Sequence, residues 1–440
     1  MSFAEEHAVV IGAGVAGLAA AQALAGRFGR VTLIERDTLP GEPQTRRGVP
    51  QGSHGHVLLA AGQAALTELF PGFADALVAA GAVPFDPGLD LRMHRFGALW
   101  PRVASGLRLV SFSRPLLEQT LRDRLLPNVE VRDGVAVSGL TGSGRVDGVR
   151  LDTGEVLTAS LVADCSGRGS RSDRWLGDLG FPSPEPAEVK VGVGYATRVY
   201  PRKPDDVTDG EAVFAFPMPP HANLTGLLLP IEGDRWLVMA GAWHGAYPRD
   251  EEGFARHLAA MPHPAFADLA SRAEPLSEVF VHAFPASRRR YFEKLDRHPA
   301  GYVTLGEALC SFNPIYGQGM TCAALEAVEL GSLLDKHGSV SARLATEYYR
   351  RAAGILAVPW RFAAGGDFAF PETTGPKPPL IDLLNRYSKR MLLAAMRDAE
   401  VRVTFNRVQH LVLPPSVLFK PRMVWKVLRA TRRVAQRPQQ

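Results

Sequence analysis

The chain has 440 residues, 46% of them hydrophobic and 22% charged, which excludes wholesale disorder and calls for roughly two or three packed units. The formal net charge is +5, but the last twenty residues alone carry Arg422, Lys426, Arg429, Arg432, Arg433 and Arg437 with no acid. The remainder is therefore nearly balanced, and no nucleic-acid partner is expected. Cys165, Cys310 and Cys322 are an odd set without a CxxC or metal-ligand spacing, so neither a disulfide framework nor a metal site is predicted, and a reducing, cytoplasmic setting fits.

The apolar run from Ala8 to Ala21 follows Glu5 and Glu6 and is broken by glycines, so it is neither a signal peptide nor a membrane span. Instead, HAVVIGAGVAGLAAAQALAGRFGRVTLIERD over 7–37 predicts a strand, a glycine turn, an alanine-rich helix and a second strand ending in an acid. In such a unit Gly12 makes the tight turn, Gly14 lets the backbone approach a pyrophosphate and Gly17 lets helix and strand pack closely. Glu35 can accept hydrogen bonds from a ribose diol, and Arg36 follows it at the edge of the same dinucleotide site. Next, TRRGVPQGSHGHVLLAAGQAALTELF leads into an amphipathic helix.

Ser113, Arg114, Pro115 and Leu116 open a helix whose leucines recur at helical spacing, and VEVRDGVAVSGL alternates like one strand. LVADCSGRGSRSDRWL reads as a strand, a loop and a helix, with Arg168, Arg171 and Arg174 either a basic surface turn or a phosphate grip. In GYVTLGEALCSFNPIYGQGMTCAALEAVELGSLL, a strand from Tyr302 to Leu305 passes through a Pro-Gly loop into a helix starting near Gly319. Met320, Ala323, Ala324, Ala327, Leu330 and Leu334 give that helix a buried stripe. Its amino terminus offers unpaired N–H groups and a positive dipole end.

Taken in order, these segments resemble the glutathione-reductase-type FAD fold, in the branch that holds aromatic hydroxylases, squalene-type epoxidases and geranylgeranyl-type reductases. The resemblance implies that Arg114 reaches the FAD, that Val135 lies beside the adenine, and that Arg46, His54 and His56 run beside the ribityl chain and ring. It places Glu307, where the family usually has Asp, on the ribityl chain, and Pro314, Gly317, Gly319 and Met320 at the ring edge. Ser166 stands where hydroxylases with an Asp-Gly fingerprint carry the aspartate, a departure that weakens the case for the nicotinamide donor. No catalytic side chain is assigned and no metal is expected.

The resemblance implies an α/β protein: a Rossmann-like FAD-binding domain, discontinuous over 1–81, 107–186 and 291–340, with an inserted antiparallel-sheet substrate domain over 82–106 and 187–290. A C-terminal helical region, 341–440, completes it. Phe96, Trp100, Phe214, Phe216, Trp236 and Trp243 are either core or the lining of an apolar cavity. The implied function is a monooxygenase that uses FAD, with NAD(P)H as transient reductant, to put one oxygen of O2 on an apolar small molecule by way of a C4a-hydroperoxide. An alkene reductase of the geranylgeranyl type, or a non-catalytic flavin or lipid carrier, are the alternatives; a halogenase lacks its Trp-x-Trp-x-Ile element and an assignable lysine here. The basic final helix either packs on the body or rests on an anionic membrane.

Overall fold

The computed structural model describes residues 3–203 and 211–432. Arg433, Val434 and Arg437 of the basic terminus lie outside the described residues. The core of the fold is a five-stranded parallel sheet in the order Tyr302–Thr304, Leu161–Asp164, Phe3–Ile11, Phe28–Ile34, Val129–Arg132. Its register aligns Thr304, Asp164, Ile11, Ile34 and Arg132 along one carboxyl edge. Open parallel sheets bind ligands at that edge. The strands are apolar because both faces are covered: Ala8, Val9, Val10, Val31, Leu33, Val162 and Val303 are fully buried.

The helix Val15–Ala25 and the helix Gly319–His337 pack together on this sheet. All six residues of the predicted stripe on the second helix are buried, and Thr321, Glu326 and Leu333 are buried as well, so the helix is enclosed on more than one side. The helix Arg114–Arg122 starts where predicted, because the Ser113 side chain accepts the Leu116 N–H and Pro115 sits in the first turn. The stretch expected as one strand after it is two, Val129–Arg132 and Val137–Thr141. Gly134, at φ +67°, turns the chain between them, so the first closes the parallel sheet and the second opens a three-stranded meander.

The second large sheet has eight strands, in the order Cys310–Ser311, Phe280–Arg290, Pro186–Pro201, Arg235–Ala242, Leu224–Ile231, Ala212–Ala215, Leu91–Arg95, Ala98–Leu99. It is antiparallel except where Ala212–Ala215 runs parallel to Leu91–Arg95. The C-terminal helices cover its far end: Met93 and Trp100 share a cluster with Met391, Phe405, Leu418 and Val427. The C-terminal region includes a helix at Ala399–Gln409, which Asp398 caps by accepting the Val401 N–H. In the final helix, Pro421–Arg432, Met423 and Val427 face inward, while Lys426 pairs with Asp398 and Glu400 and Arg422 with Glu400. No described helix is long and apolar enough to cross a membrane.

Candidate functional site

The loops that leave the carboxyl edge line one cavity. Moving along the sheet, they present Val135, then Glu35 and Arg36, then Gly12 and Gly14, then Cys165 to Arg168, then Gly306 and Glu307. The loop before the helix Gly319–His337 completes the cavity with Pro314, Gly317, Gly319 and Met320, and Arg46, His56 and Arg114 also line it. Of the residues tied to the cofactor in the sequence, Gly17 and His54 are off the wall. A Cβ at Gly17 would fall 1.7 Å from the Gly12 carbonyl oxygen, so this glycine serves the close packing of turn and helix.

The turn itself demands glycine at position 12, whose φ is +96° and whose Cβ would meet the Cys165 carbonyl oxygen at 2.7 Å. Gly14 is the N-cap of the helix Val15–Ala25, and no side chain caps that terminus. Its amides are thus free to bind an anion, with the helix dipole behind them. Gln318 likewise leaves the terminus of the helix Gly319–His337 without a side-chain cap. Its side-chain Oε1 is buried with no hydrogen-bond partner. Two uncapped helix termini therefore face one cavity.

Between them stands a compact charge network. Glu35 Oε2 accepts the Ala13 N–H at 2.8 Å and lies 2.9 Å from Arg46 Nη1. Arg46 also pairs with Asp37 at 3.4 Å and with Glu118 at 3.2 Å, and Arg114 Nε donates to Glu118 Oε1 at 2.7 Å. Burial opposes the Arg46 charge, but Glu118 and Glu35 outweigh it and raise its pKa. The three carboxylates hold Arg46 on the cavity wall beside Glu35. Glu118 and Asp37 were missed in the sequence, although Arg114 and Glu118 have the i,i+4 spacing of a helical ion pair.

His56 lies in the cavity wall, with its Nδ1 2.8 Å from the His54 carbonyl oxygen. A carbonyl can only accept, so Nδ1 carries the proton and Nε2 is left as an acceptor. Burial, with Arg114 nearby, lowers the His56 pKa to about 3, which keeps the ring neutral. His54 turns away from the cavity: its Nδ1 is 2.7 Å from Thr197 Oγ1 and its ring stands edge-on to Tyr195. Glu307 borders the cavity, and burial raises its pKa while Arg168 and Arg114 oppose the rise. Arg168 lines the cavity but is anchored to the Ala286 carbonyl and Ser311 and lies over Phe284. Arg171 is also on the wall, whereas Arg174 is exposed and faces Asp178.

Of the aromatic residues, Phe214 lines this cavity, Phe96, Phe216 and Trp243 line a second one, and Trp100 and Trp236 are core. Ser166, Gly167 and Cys165 follow Asp164, whose carboxylate accepts from Ser166, Ser170 and Tyr302 and so fixes the loop. The residues fit an extended dinucleotide: a cradle with no side chain at Gly12 and Gly14, an uncapped terminus for its phosphates, and a second for an electron-rich ring.

A family model described as FAD dependent oxidoreductase matches residues 8–171. Protein Rv3254 of Mycobacterium tuberculosis (strain ATCC 25618 / H37Rv) is 35% identical over 399 residues, covering 85% of this chain and 83% of that protein. Among solved structures, 2-methyl-3-hydroxypyridine-5-carboxylic acid oxygenase is similar at 22% identity and TM-score 0.61, covering 82% of this chain and 89% of that one. A flavoprotein/dehydrogenase from Cytophaga hutchinsonii is similar at 18% identity and TM-score 0.67, covering 98% and 100%. The flavin-dependent brominase Bmp2 is similar at 16% identity and TM-score 0.62, covering 91% and 94%. The chain belongs to one family with Protein Rv3254, and its residues 8–171 match the FAD dependent oxidoreductases.

Proposed function

We propose that the chain is a monooxygenase that consumes one NAD(P)H, one proton and one O2 to place an oxygen atom on an apolar small molecule, releasing water. The observation that carries this reading is the match between the order of wall residues along the sheet edge and the linear order of FAD, from adenine to ring. Bound FAD would supply the redox chemistry, accepting hydride from the reduced nicotinamide and passing one oxygen of O2 to the substrate.

The chain's own residues bind, orient and shield. The amides of the helix Val15–Ala25, with Arg114, take the diphosphate, and Glu35 takes the ribose. Glu307 holds the ribityl chain. Gly319 and Met320 offer N–H donors and a helix dipole to the ring edge, where negative charge gathers on reduction. Phe214, Leu227, Met239, Phe312 and Ile315 form a dry wall at that end, which keeps water from a reactive oxygen species. Neutral His56 leaves Nε2 as an acceptor there.

We place the enzyme in the cytoplasm, on its three free cysteines. The pairing of Lys426 and Arg422 with acids of the preceding helix favours a final helix packed on the body over one resting on a membrane. The test is a turnover assay of FAD-loaded enzyme with NADH or NADPH under isotope-labelled O2. One labelled oxygen atom in the product is expected. Anaerobic saturation of an alkene coupled to NAD(P)H oxidation would instead make the chain a reductase, and no nicotinamide oxidation with any substrate would remove the enzyme reading.

A further inference from the structure

The mixed sheet and the C-terminal helices enclose a second cavity of about 880 Å³. Ile315 and Gln318 are common to its wall and to that of the first, so the two chambers meet at the loop that precedes the helix Gly319–His337. The volume suits a small organic molecule. Phe96, Phe216, Trp243, Phe362 and Phe370 supply an aromatic wall.

Into this apolar chamber projects Arg95. Its guanidinium lies over the Phe216 ring, 4.4 Å from the centroid, and 5.9 Å from that of Phe96. Its Nε is shut off from solvent without a hydrogen-bond partner. Among the described residues it has no ion-pair partner. The buried carboxylate of this region, Asp367, makes no ion pair with it: its Oδ1 accepts from Trp243, Asn313 and Tyr316, and its Oδ2 is buried without a hydrogen-bond partner. Burial lowers the Arg95 pKa to about 10, so it is still a cation at neutral pH. An unpaired cation in an apolar chamber is costly, and a bound anion would offset that cost.

The mouth carries the same sign. Arg361, Arg386 and Lys389 line it, are exposed, and have no ion-pair partner among the described residues. The acid among them, Asp382, is already 2.8 Å from Lys377. A cationic entrance raises the local concentration of anions and speeds their entry.

We propose that this cavity is the substrate chamber and that Arg95 anchors a carboxylate there, so that the substrate is an apolar, ring-bearing monocarboxylate whose body reaches toward Ile315 and Gln318. The substrate role rests on the monooxygenase reading; the anion site does not. The Phe216 ring accepts no conventional hydrogen bond from the guanidinium above it, so the N–H donors of Arg95 are left for a planar carboxylate, which they match in fork geometry. One interior cation balances one negative charge. The aromatic wall selects rings over flexible chains because a rigid ring covers it with little loss of conformational freedom.

The test is equilibrium binding of naphthoate and naphthamide to the FAD-loaded protein, without reductant, in wild type, Arg95→Met and Arg95→Lys. Naphthoate is expected to bind wild type roughly 30-fold or more tightly than naphthamide. Arg95→Met should abolish that preference with flavin content and naphthamide affinity unchanged, and Arg95→Lys should restore part of it. Equal affinity for the two probes in wild type, binding of neither, or a preference that survives Arg95→Met overturns the anchor. Because no turnover is involved, an anchor that holds while labelled oxygen never reaches product sinks the oxygenation reading alone. Labelled oxygen in product without any carboxylate preference sinks the anchor alone.

Discussion

Gly12, Gly14 and Gly17 stand in one turn, yet each answers a different contact. At Gly12 the positive φ and the Cys165 carbonyl exclude a side chain, and at Gly17 the Gly12 carbonyl does. Gly14 is unlike both: its backbone is extended, and a Cβ there would find Arg114 Nη2 at 3.7 Å and Glu118 Oε1 at 3.9 Å, ordinary contacts. The fold therefore tolerates a side chain at position 14, and only a diphosphate approaching the helix amides does not. Gly14→Val is expected to purify folded, with a melting temperature close to wild type, but colourless and with FAD affinity lowered by roughly 100-fold, equivalent to about 3 kcal/mol. Gly17→Val should fail to fold. Absorbance spectra and FAD titration check the pair, and full flavin loading of Gly14→Val would take the diphosphate away from this turn.

At the scale of elements, the helix Arg114–Arg122 is tied to the first glycine turn through charge. Glu118 meets both Arg46 and Arg114, and Arg46 carries the link on to Glu35 and Asp37. With side chains only 6–8% exposed at Arg46, Glu35 and Glu118, loss of one partner leaves a buried charge uncompensated. Glu118→Gln is expected to lower unfolding free energy by on the order of 3 kcal/mol, read from a denaturant midpoint, with a matching weakening of FAD binding; an unchanged midpoint would mean that the network contributes nothing net. Much of this region was legible in the sequence, because a glycine turn, a Ser-capped helix and a Pro-Gly approach to a second helix are local signals. What escaped was set by distant partners. Gly134 divides a stretch whose alternation reads as one strand, sending its first half to the parallel sheet and its second to the meander. Arg95 reads as one arginine among many. Its meaning comes from what does not surround it, and no spacing records that.

Across the whole molecule, buried titratable groups oppose one another. Burial lowers the pKa of His54 and His56 to about 3 and of His410 to about 4. The unfolded chain protonates these rings near 6.5, so their contribution is complete above about pH 6.5 and is lost as pH falls toward 3 to 4. Burial raises Glu326 to about 8 and Asp367 to about 7. Unfolded carboxyls ionise near 4, so these two favour the fold at low pH, and that contribution is lost as pH rises through 7 to 8. Each group changes stability by about 1.4 kcal/mol per pH unit within its own window. Burial also moves His7, His94, His263, His282 and His298 down and Glu307 up, so below about pH 6.5 the histidines outweigh the raised acids and above it those acids act without them; the melting temperature is expected to peak near pH 6.5 and fall on both sides. Glu326 offers a way to separate the limbs, since its Oε2 accepts the Gly306 N–H at 2.7 Å while Oε1 has no partner. Glu326→Gln keeps the accepting oxygen and puts an amide where the neutral acid stands, so it should flatten the alkaline limb and, by removing an acid that opposes the histidines between about pH 4 and 6.5, steepen the acid limb. Calorimetric melting of both proteins from about pH 4 to 9 decides it: a wild-type melting temperature that keeps climbing past pH 8, or an alkaline slope untouched by the substitution, would show that Glu326 is not held as the neutral acid.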